Sequence, residues 1–281
     1  MDARIIRNEI ERLEKLPTIP PVLTKLLDII ENPRTSLSEI GNFISKDPAL
    51  ASVILKAINS PVYGFPGRIS TVSQALILLG LNVVKGMLLS IAVFEIMQKV
   101  MAGLREHSVG CAITARIISR RKALDCFEEV AIAALLHDLG KVVLGLKFSD
   151  EYQKIISEST EKHSFIFDTE KARFGVDHAD VGTWLLEKWQ FPRSLIEAID
   201  YHHQPQLSRN FPVQTAIVHL SDVLIRAKGF GFAGDNFVPA INPQAWRTLK
   251  LTETDLKGIL DEMEDSLQHA DDILIIDMED S

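Results

Sequence analysis

The segment Ala133-Ala134-Leu135-Leu136-His137-Asp138-Leu139-Gly140-Lys141 sets an imidazole and a carboxylate side by side inside an apolar run. A neutral polar group left unsatisfied in such surroundings costs roughly 2–7 kcal/mol, and a charge costs more. His137 and Asp138 therefore need partners. They can pair with each other, cap a neighbouring helix, or bind a divalent cation. A centre for one or two cations takes several imidazoles and a carboxylate able to bridge. The chain supplies such donors in His107, His178, the pair His202-His203, and Asp222.

The spacing within these segments sets their geometry. On a helix predicted over 127–146, His137 and Asp138 lie about 100° apart and can lean toward one side. Lys141 follows His137 by one turn, placed to meet a phosphate oxygen or to snorkel to solvent. Gly140 leaves room beside it for a ligand. Asp222 stands in the apolar stretch Ala216-Ile217-Val218-His219-Leu220-Ser221-Asp222, with His219 one turn earlier as a supporting partner. The plainer role for Asp222 is an i,i+4 pair with Arg226, worth a few tenths of a kcal/mol. His202 and His203 end a helix before Pro205, as ligands or as favourable partners of the helix dipole. His163 and His269 fall in polar stretches and read as surface residues.

Helices must position these groups. Ile5, Ile6, Ile10, Leu13 and Leu16 recur at helical spacing and predict a first helix over 3–16. Ser36 with Glu39 forms a capping-box pattern, Asp47-Pro48 starts another helix, and Thr71 opens a third that breaks near Gly80. Further helices are predicted at 104–124, 127–146, 150–162, 177–190, 192–203 and 212–228, and from Thr252 to near Gln268. The expected fold class is all-α, a multi-helix bundle in two closely packed lobes that meet near residue 100. Ile273 to Ser281 mixes apolar and acidic residues and has no assigned element.

Composition narrows the function. The 38 acidic and 30 basic residues leave a net charge of −8, against a phosphate-backbone binder. The run Arg120-Arg121-Lys122 reads as a solvated helix end. Cys111 and Cys126 form neither a disulfide framework nor a metal-type pair, which fits a reducing compartment. The first residues do not read as a signal peptide. The longest apolar run, Leu76 to Met97, is interrupted by Asn82, Lys85 and Glu95, so no membrane span is expected and the chain reads as cytoplasmic.

Several motifs carry a family resemblance. They are Leu16-Pro17-Thr18-Ile19-Pro20, Ser45-Lys46-Asp47-Pro48-Ala49-Leu50, Ile58-Asn59-Ser60, Tyr63-Gly64, Ile69 to Leu76, and Leu79-Gly80. Together they resemble the HDOD branch, the HD-related output domains of bacterial signalling proteins, within the HD superfamily of metal-dependent phosphohydrolases. The resemblance spans about residues 15 to 225. It implies an N-terminal helix over 1–14, an HDOD domain over 15–230 and a C-terminal extension over 231–281. The domain divides into an HDOD-specific lobe over 15–100 and an HD-like metal lobe over 101–230.

The resemblance also implies a set of site residues. His107, His137, Asp138, His178, His202, His203 and Asp222 match the metal-ligand positions of metal-competent HD proteins. Asp138 would bridge, and Lys141 matches a motif lysine of the cyclic-dinucleotide phosphodiesterase branch, so Asp138 and Lys141 are the candidate catalytic residues. The implied cofactor is one or two divalent ions, iron, manganese, zinc or nickel. The implied partner is a signalling protein or a small phosphorylated ligand. Two departures limit the match: Gln204-Pro205 follows the histidine pair where that branch has an acidic residue and Gly-Tyr-Pro, and Gly103 replaces the glutamate of three-metal members. Two functions follow, a signalling module that retains the metal site or an active phosphohydrolase acting on a nucleotide or another phosphoester.

Overall fold

The computed structural model describes residues 3–12, 35–46, 48–59, 69–124 and 127–268, together with residues 29 and 270. Every element among them is helical. The order is α1 (Ala3–Glu11), α2 (Leu37–Ser45), α3 (Pro48–Ile58), α4 (Val72–Val100), α5 (Leu104–Arg121), α6 (Phe127–Leu136) and α7 (Leu139–Lys147). There follow α8 (Ser149–Glu161), α9 (Ile166–Phe174), α10 (His178–Lys188), α11 (Arg193–Asp200), a 3-10 turn (Pro205–Leu207), α12 (Pro212–Lys228), α13 (Pro243–Leu249) and α14 (Glu253–Leu267). The motifs at 16–20 and 63–64, Asp47, Ser60, the loop at 61–68, Cys126, His269 and the tail at 271–281 lie outside the described residues.

The expected capping signals act where the sequence places them. Ser36 and Glu39 form a reciprocal box, as do Thr252 and Asp255, and Thr71 caps α4. These side chains satisfy donors that a helix start leaves without partners. The break at Gly80 is real: its φ is +77°, and the helix axis turns there. Asp177 and Asp180 form one more box at the start of α10, which fixes the position of His178.

Three expectations are corrected. The helix predicted over 127–146 is two helices, broken at His137-Asp138. Apolar residues continue on both sides, so the periodicity carried no sign of the break. The helix predicted to 203 stops at Asp200, and His202 and His203 lie in the turn beyond it. The His202 ring itself bonds the end carbonyl of Ile199. Finally, α4 is long and apolar enough to cross a bilayer by length and composition, contrary to the sequence reading. Some 65% of its apolar window is buried inside the protein, the pattern of a core helix.

One continuous hydrophobic core runs through the described helices. The central packing is α5 on α6 and on α12, with α10 on α7 and α11 against α6 and α12. Helix α4 packs on α6 and α7, while α2 and α3 lean on α4. The terminal segments belong to the same body. Helix α1 lies on α10, where Arg7 sits over the Trp184 ring at 5.2 Å. Helix α13 packs on α12, and α14 on α5.

Candidate metal centre

The seven predicted donors meet at one place. Helix α5 supplies His107, the α6–α7 break supplies His137 and Asp138, α10 supplies His178, the turn after α11 supplies His202 and His203, and α12 supplies Asp222. His107, His137, Asp138, His178, His202 and Asp222 are each no more than 2% exposed; His203 is half-buried.

Asp138 lies between two groups of imidazoles. Its Oδ2 is 3.4 Å from His137 Nε2 and 3.6 Å from His107 Nε2, and its Oδ1 is 3.2 Å from His178 Nε2. On the first side, His107 Nε2 is 3.2 Å from Asp222 Oδ1 and 3.3 Å from His137 Nε2. On the second, His203 Nε2 is 2.9 Å from His178 Nε2, and donors of His178, His202 and His203 lie within 4.8 Å of one another.

Hydrogen bonds on the far side of each ring fix the tautomers. His137 Nδ1 donates to the Ala134 carbonyl at 2.7 Å, and His202 Nδ1 to the Ile199 carbonyl at 2.6 Å. A carbonyl only accepts, so each Nδ1 carries the proton and each Nε2 faces inward with a bare lone pair. His178 Nδ1 donates to Glu170 Oε2 at 2.6 Å, with the same result. Burial pushes the His137 pKa down to about 4 and that of His202 to about 3, and it lowers His203 well below the usual imidazole range. These rings are neutral at pH 7.

The carboxylates are ionised. Burial alone would raise Asp138, but His137, Lys141, His178 and His107 outweigh it and hold the group well below the usual carboxylate range. Burial likewise opposes ionisation of Asp222, and His107 and Arg226 reverse the balance. Asp138 Oδ2 and His202 Nε2 are buried without a hydrogen bond, whereas Asp138 Oδ1 is met by the Lys141 ammonium. Lone pairs from three imidazoles and two carboxylates thus converge with too few donors facing them. Such an electron-rich cluster fits a cation, and imidazole with carboxylate is the donor chemistry of first-row divalent metals.

Several other residues hold the donors in place. Glu170 is fully buried; besides the ring, it accepts the His178 backbone N–H at 2.9 Å and the Tyr152 hydroxyl at 2.7 Å. Glu170 was missed from sequence because α9 was missed. His219 supports the centre as expected: its Nδ1 donates to the His202 carbonyl at 2.8 Å, and its Nε2 accepts the Asn242 N–H at 3.0 Å. Cys111 was also set aside, yet its Sγ is 3.6 Å from His107 Nε2. Burial, with Asp222 and Asp138 nearby, pushes its thiol well up. Arg226 pairs with Asp235 and the Phe237 carbonyl, and Asp222 meets His107.

Lys141 and Gly140 differ from expectation. Lys141 is 1% exposed, with Nζ 2.7 Å from Asp138 Oδ1 and 2.8 Å from the Ala233 carbonyl. It neutralises the aspartate and ties the 229–235 loop to the centre, and does not face solvent. Gly140 leaves no open space: a Cβ there would meet the His178 carbonyl oxygen at 1.9 Å. The residue lets α7 approach the start of α10, which brings His178 to Asp138. Gly103 is equally constrained, with φ +90° and Phe232 filling the place of a side chain. A glutamate has no room there.

The chain matches the HDOD domain over residues 16–205, and it belongs to that family. A relative from Treponema pallidum (strain Nichols), an uncharacterized protein, is 27% identical over 224 residues. The match covers 77% of this chain but 43% of that one, so the chain spans less than half of its length. An HDOD domain protein of unknown function from Geobacter sulfurreducens has the same fold, with a TM-score of 0.71 and 24% identity over 97% of this chain and 98% of its own. A Shewanella amazonensis SB2B protein, provisionally named a phosphohydrolase, gives a TM-score of 0.66 at 17% identity, over 95% of this chain and 97% of that one.

Proposed function

We propose that this protein is a signalling output protein that holds a divalent metal centre in its second lobe and acts in the cytoplasm. The carrying observation is the convergence of bare imidazole and carboxylate lone pairs on a buried point, with Asp138 Oδ2 and His202 Nε2 lacking hydrogen bonds. His107, His137, Asp138 and Asp222 would hold one ion, and Asp138, His178, His202 and His203 a second. Iron, manganese, zinc and nickel all suit this mixed donor set. When bound, such ions supply Lewis acidity and lower the pKa of water. Around them, Glu170 orients His178, Lys141 balances the charge of Asp138, and Gly140 sets the helix spacing.

Binding is favoured over turnover as the output. Six of the seven donors are almost fully shielded from solvent. Lys141 is committed to Asp138 and a backbone carbonyl, so it does not stand ready for a phosphate. The occupant that reads the centre would be a signalling protein or a small phosphorylated ligand reaching half-buried His203. The acidic balance of the chain disfavours nucleic acid.

One observation favours the second function, phosphoester hydrolysis. Asp138 directs one oxygen to each imidazole group, the arrangement of a bridging carboxylate in two-metal hydrolases. The provisional name of the Shewanella structure accords with it. The experiment is metal analysis of purified wild type and His137→Ala, followed by a phosphoester panel with iron or manganese. Metal in the wild type alone supports the centre; equal, negligible metal in both removes it. Ester cleavage by the loaded wild type decides for the hydrolase.

A further inference from the structure

Helix α5 presents a second donor to the centre besides His107. Cys111 follows His107 by one helical turn, so the two side chains share a face. The Cys111 side chain is fully buried, and its sulfur points at the inward nitrogen of His107. A buried cysteine is ordinarily a small apolar filler. Here its sulfur lies within 4.8 Å of donor atoms of His107, His137 and Asp222, which likewise lie within 4.8 Å of one another.

The separations match a metal polyhedron. Zinc binds nitrogen at about 2.0–2.1 Å and thiolate at about 2.3 Å, so tetrahedral edges measure about 3.4 Å between nitrogens and about 3.6 Å from nitrogen to sulfur. The observed edges are 3.3 Å from His107 Nε2 to His137 Nε2, 3.2 Å from His107 Nε2 to Asp222 Oδ1, and 3.6 Å from His107 Nε2 to Cys111 Sγ. The three edges that meet at His107 thus stand at ligand spacing, and the remaining donor pairs lie within 4.8 Å of one another.

We propose that Cys111 is a thiolate ligand in the His107–His137–Asp222 half of the centre, so that this half prefers zinc, cobalt or ferrous iron over manganese. The proposal rests on the metal-centre reading given above. On binding, the cation takes the sulfur lone pair and the thiol proton leaves to solvent, one proton per ion bound. Asp138 Oδ2, 3.4 Å from His137 Nε2 and 3.6 Å from His107 Nε2, would face the same ion. A soft sulfur donor tilts selectivity away from hard, oxygen-preferring ions.

Cobalt(II) loading tests this directly, because a cobalt–thiolate bond gives a charge-transfer absorption in the near ultraviolet that nitrogen and oxygen ligands do not. The band is expected in wild type and in Cys126→Ser, and is lost in Cys111→Ser while the visible cobalt bands remain. In competition, Cys111→Ser lowers the ratio of zinc to manganese affinity roughly 10–100-fold, at least the loss that follows removal of an outer supporting partner. Zinc-edge X-ray absorption on the wild type needs no variant, and it should show a sulfur shell at about 2.3 Å. Bound cobalt without the ultraviolet band, a band that survives Cys111→Ser, or a shell of nitrogen and oxygen alone overturns the cysteine ligand and leaves the centre standing. Failure of the wild type to bind any of these ions overturns both.

Discussion

Glu170 Oε2 accepts two hydrogen bonds from one residue, His178: the backbone N–H at 2.9 Å and the ring Nδ1–H at 2.6 Å. The pair fixes both where His178 starts its helix and which nitrogen it turns inward. A carboxylate behind a ligand imidazole also makes that imidazole more basic. Glu170→Gln keeps the shape but loses the charge, so metal affinity should fall about 10–100-fold with the helical content unchanged. Metal titration by calorimetry, alongside circular dichroism, checks this. An unchanged affinity would mean that His178 does not contribute to the centre.

Gly140 tests the helix spacing. Its Cβ would fall 1.9 Å from a backbone oxygen that cannot swing aside. Gly140→Ala should cost about 1–3 kcal/mol or more, as overpacking does. The metal affinity should drop with it, since α10 must move away from Asp138. Thermal melts with and without metal read both effects. A variant as stable as wild type would contradict the close contact.

Acid stability of the metal-free protein follows from the neutral imidazoles. Unfolded histidine binds a proton near pH 6.5, whereas folded His137 does so near 4 and His202 near 3. Between those values the unfolded chain holds more protons, so acid favours unfolding. Stability should be level above about pH 7 and fall as the pH drops from 6.5 toward 4, by roughly 3 kcal/mol through His137 alone. Urea unfolding across this range checks the slope. Bound metal should add to it, because protons and metal compete for the same nitrogens.

A second acid-sensitive device lies at Glu197. Its carboxylate accepts Ser208 Oγ, Asn210 Nδ2 and the backbone N–H groups of Arg209, Asn210 and Phe211, at 2.7–3.0 Å. Burial works against ionisation, yet these donors hold the pKa at about 2. The stabilisation is present above pH 4.5 and is lost as the pH falls through about 2. Because the group is partly solvated, Glu197→Gln should cost only about 1–2 kcal/mol at neutral pH. It should also loosen the 208–211 turn that joins α11 to α12, which amide exchange in that turn would detect.

Much of the centre was visible in the sequence because its donors stand out against apolar neighbours. The apolar flanks of His137, Asp138 and Asp222 set them apart from ordinary surface residues, and the capping patterns at Ser36 and Thr71 located helix starts. Glu170 was hidden because the buried face of α9 is Ile166, Thr169, Glu170 and Phe174, only half of it apolar, so no helical stripe shows. The break at His137-Asp138 was hidden for the opposite reason: apolar residues run through it, and polar tertiary partners, not periodicity, decide it. Cys111 carried a usable signal, its i,i+4 spacing from His107, but counting cysteines in pairs passed over it. The role of Lys141 could not be read from its position on α7. It depends on Ala233, 92 residues away in sequence.

Anomalous diffraction from crystals of metal-loaded protein, recorded at the absorption edge of the metal, tests the central claim most directly. The account predicts a peak between His107, His137, Asp138 and Asp222, a second between Asp138, His178, His202 and His203 when two ions bind, and loss of the first in His137→Ala. Fully loaded crystals with no anomalous peak among these side chains would contradict it.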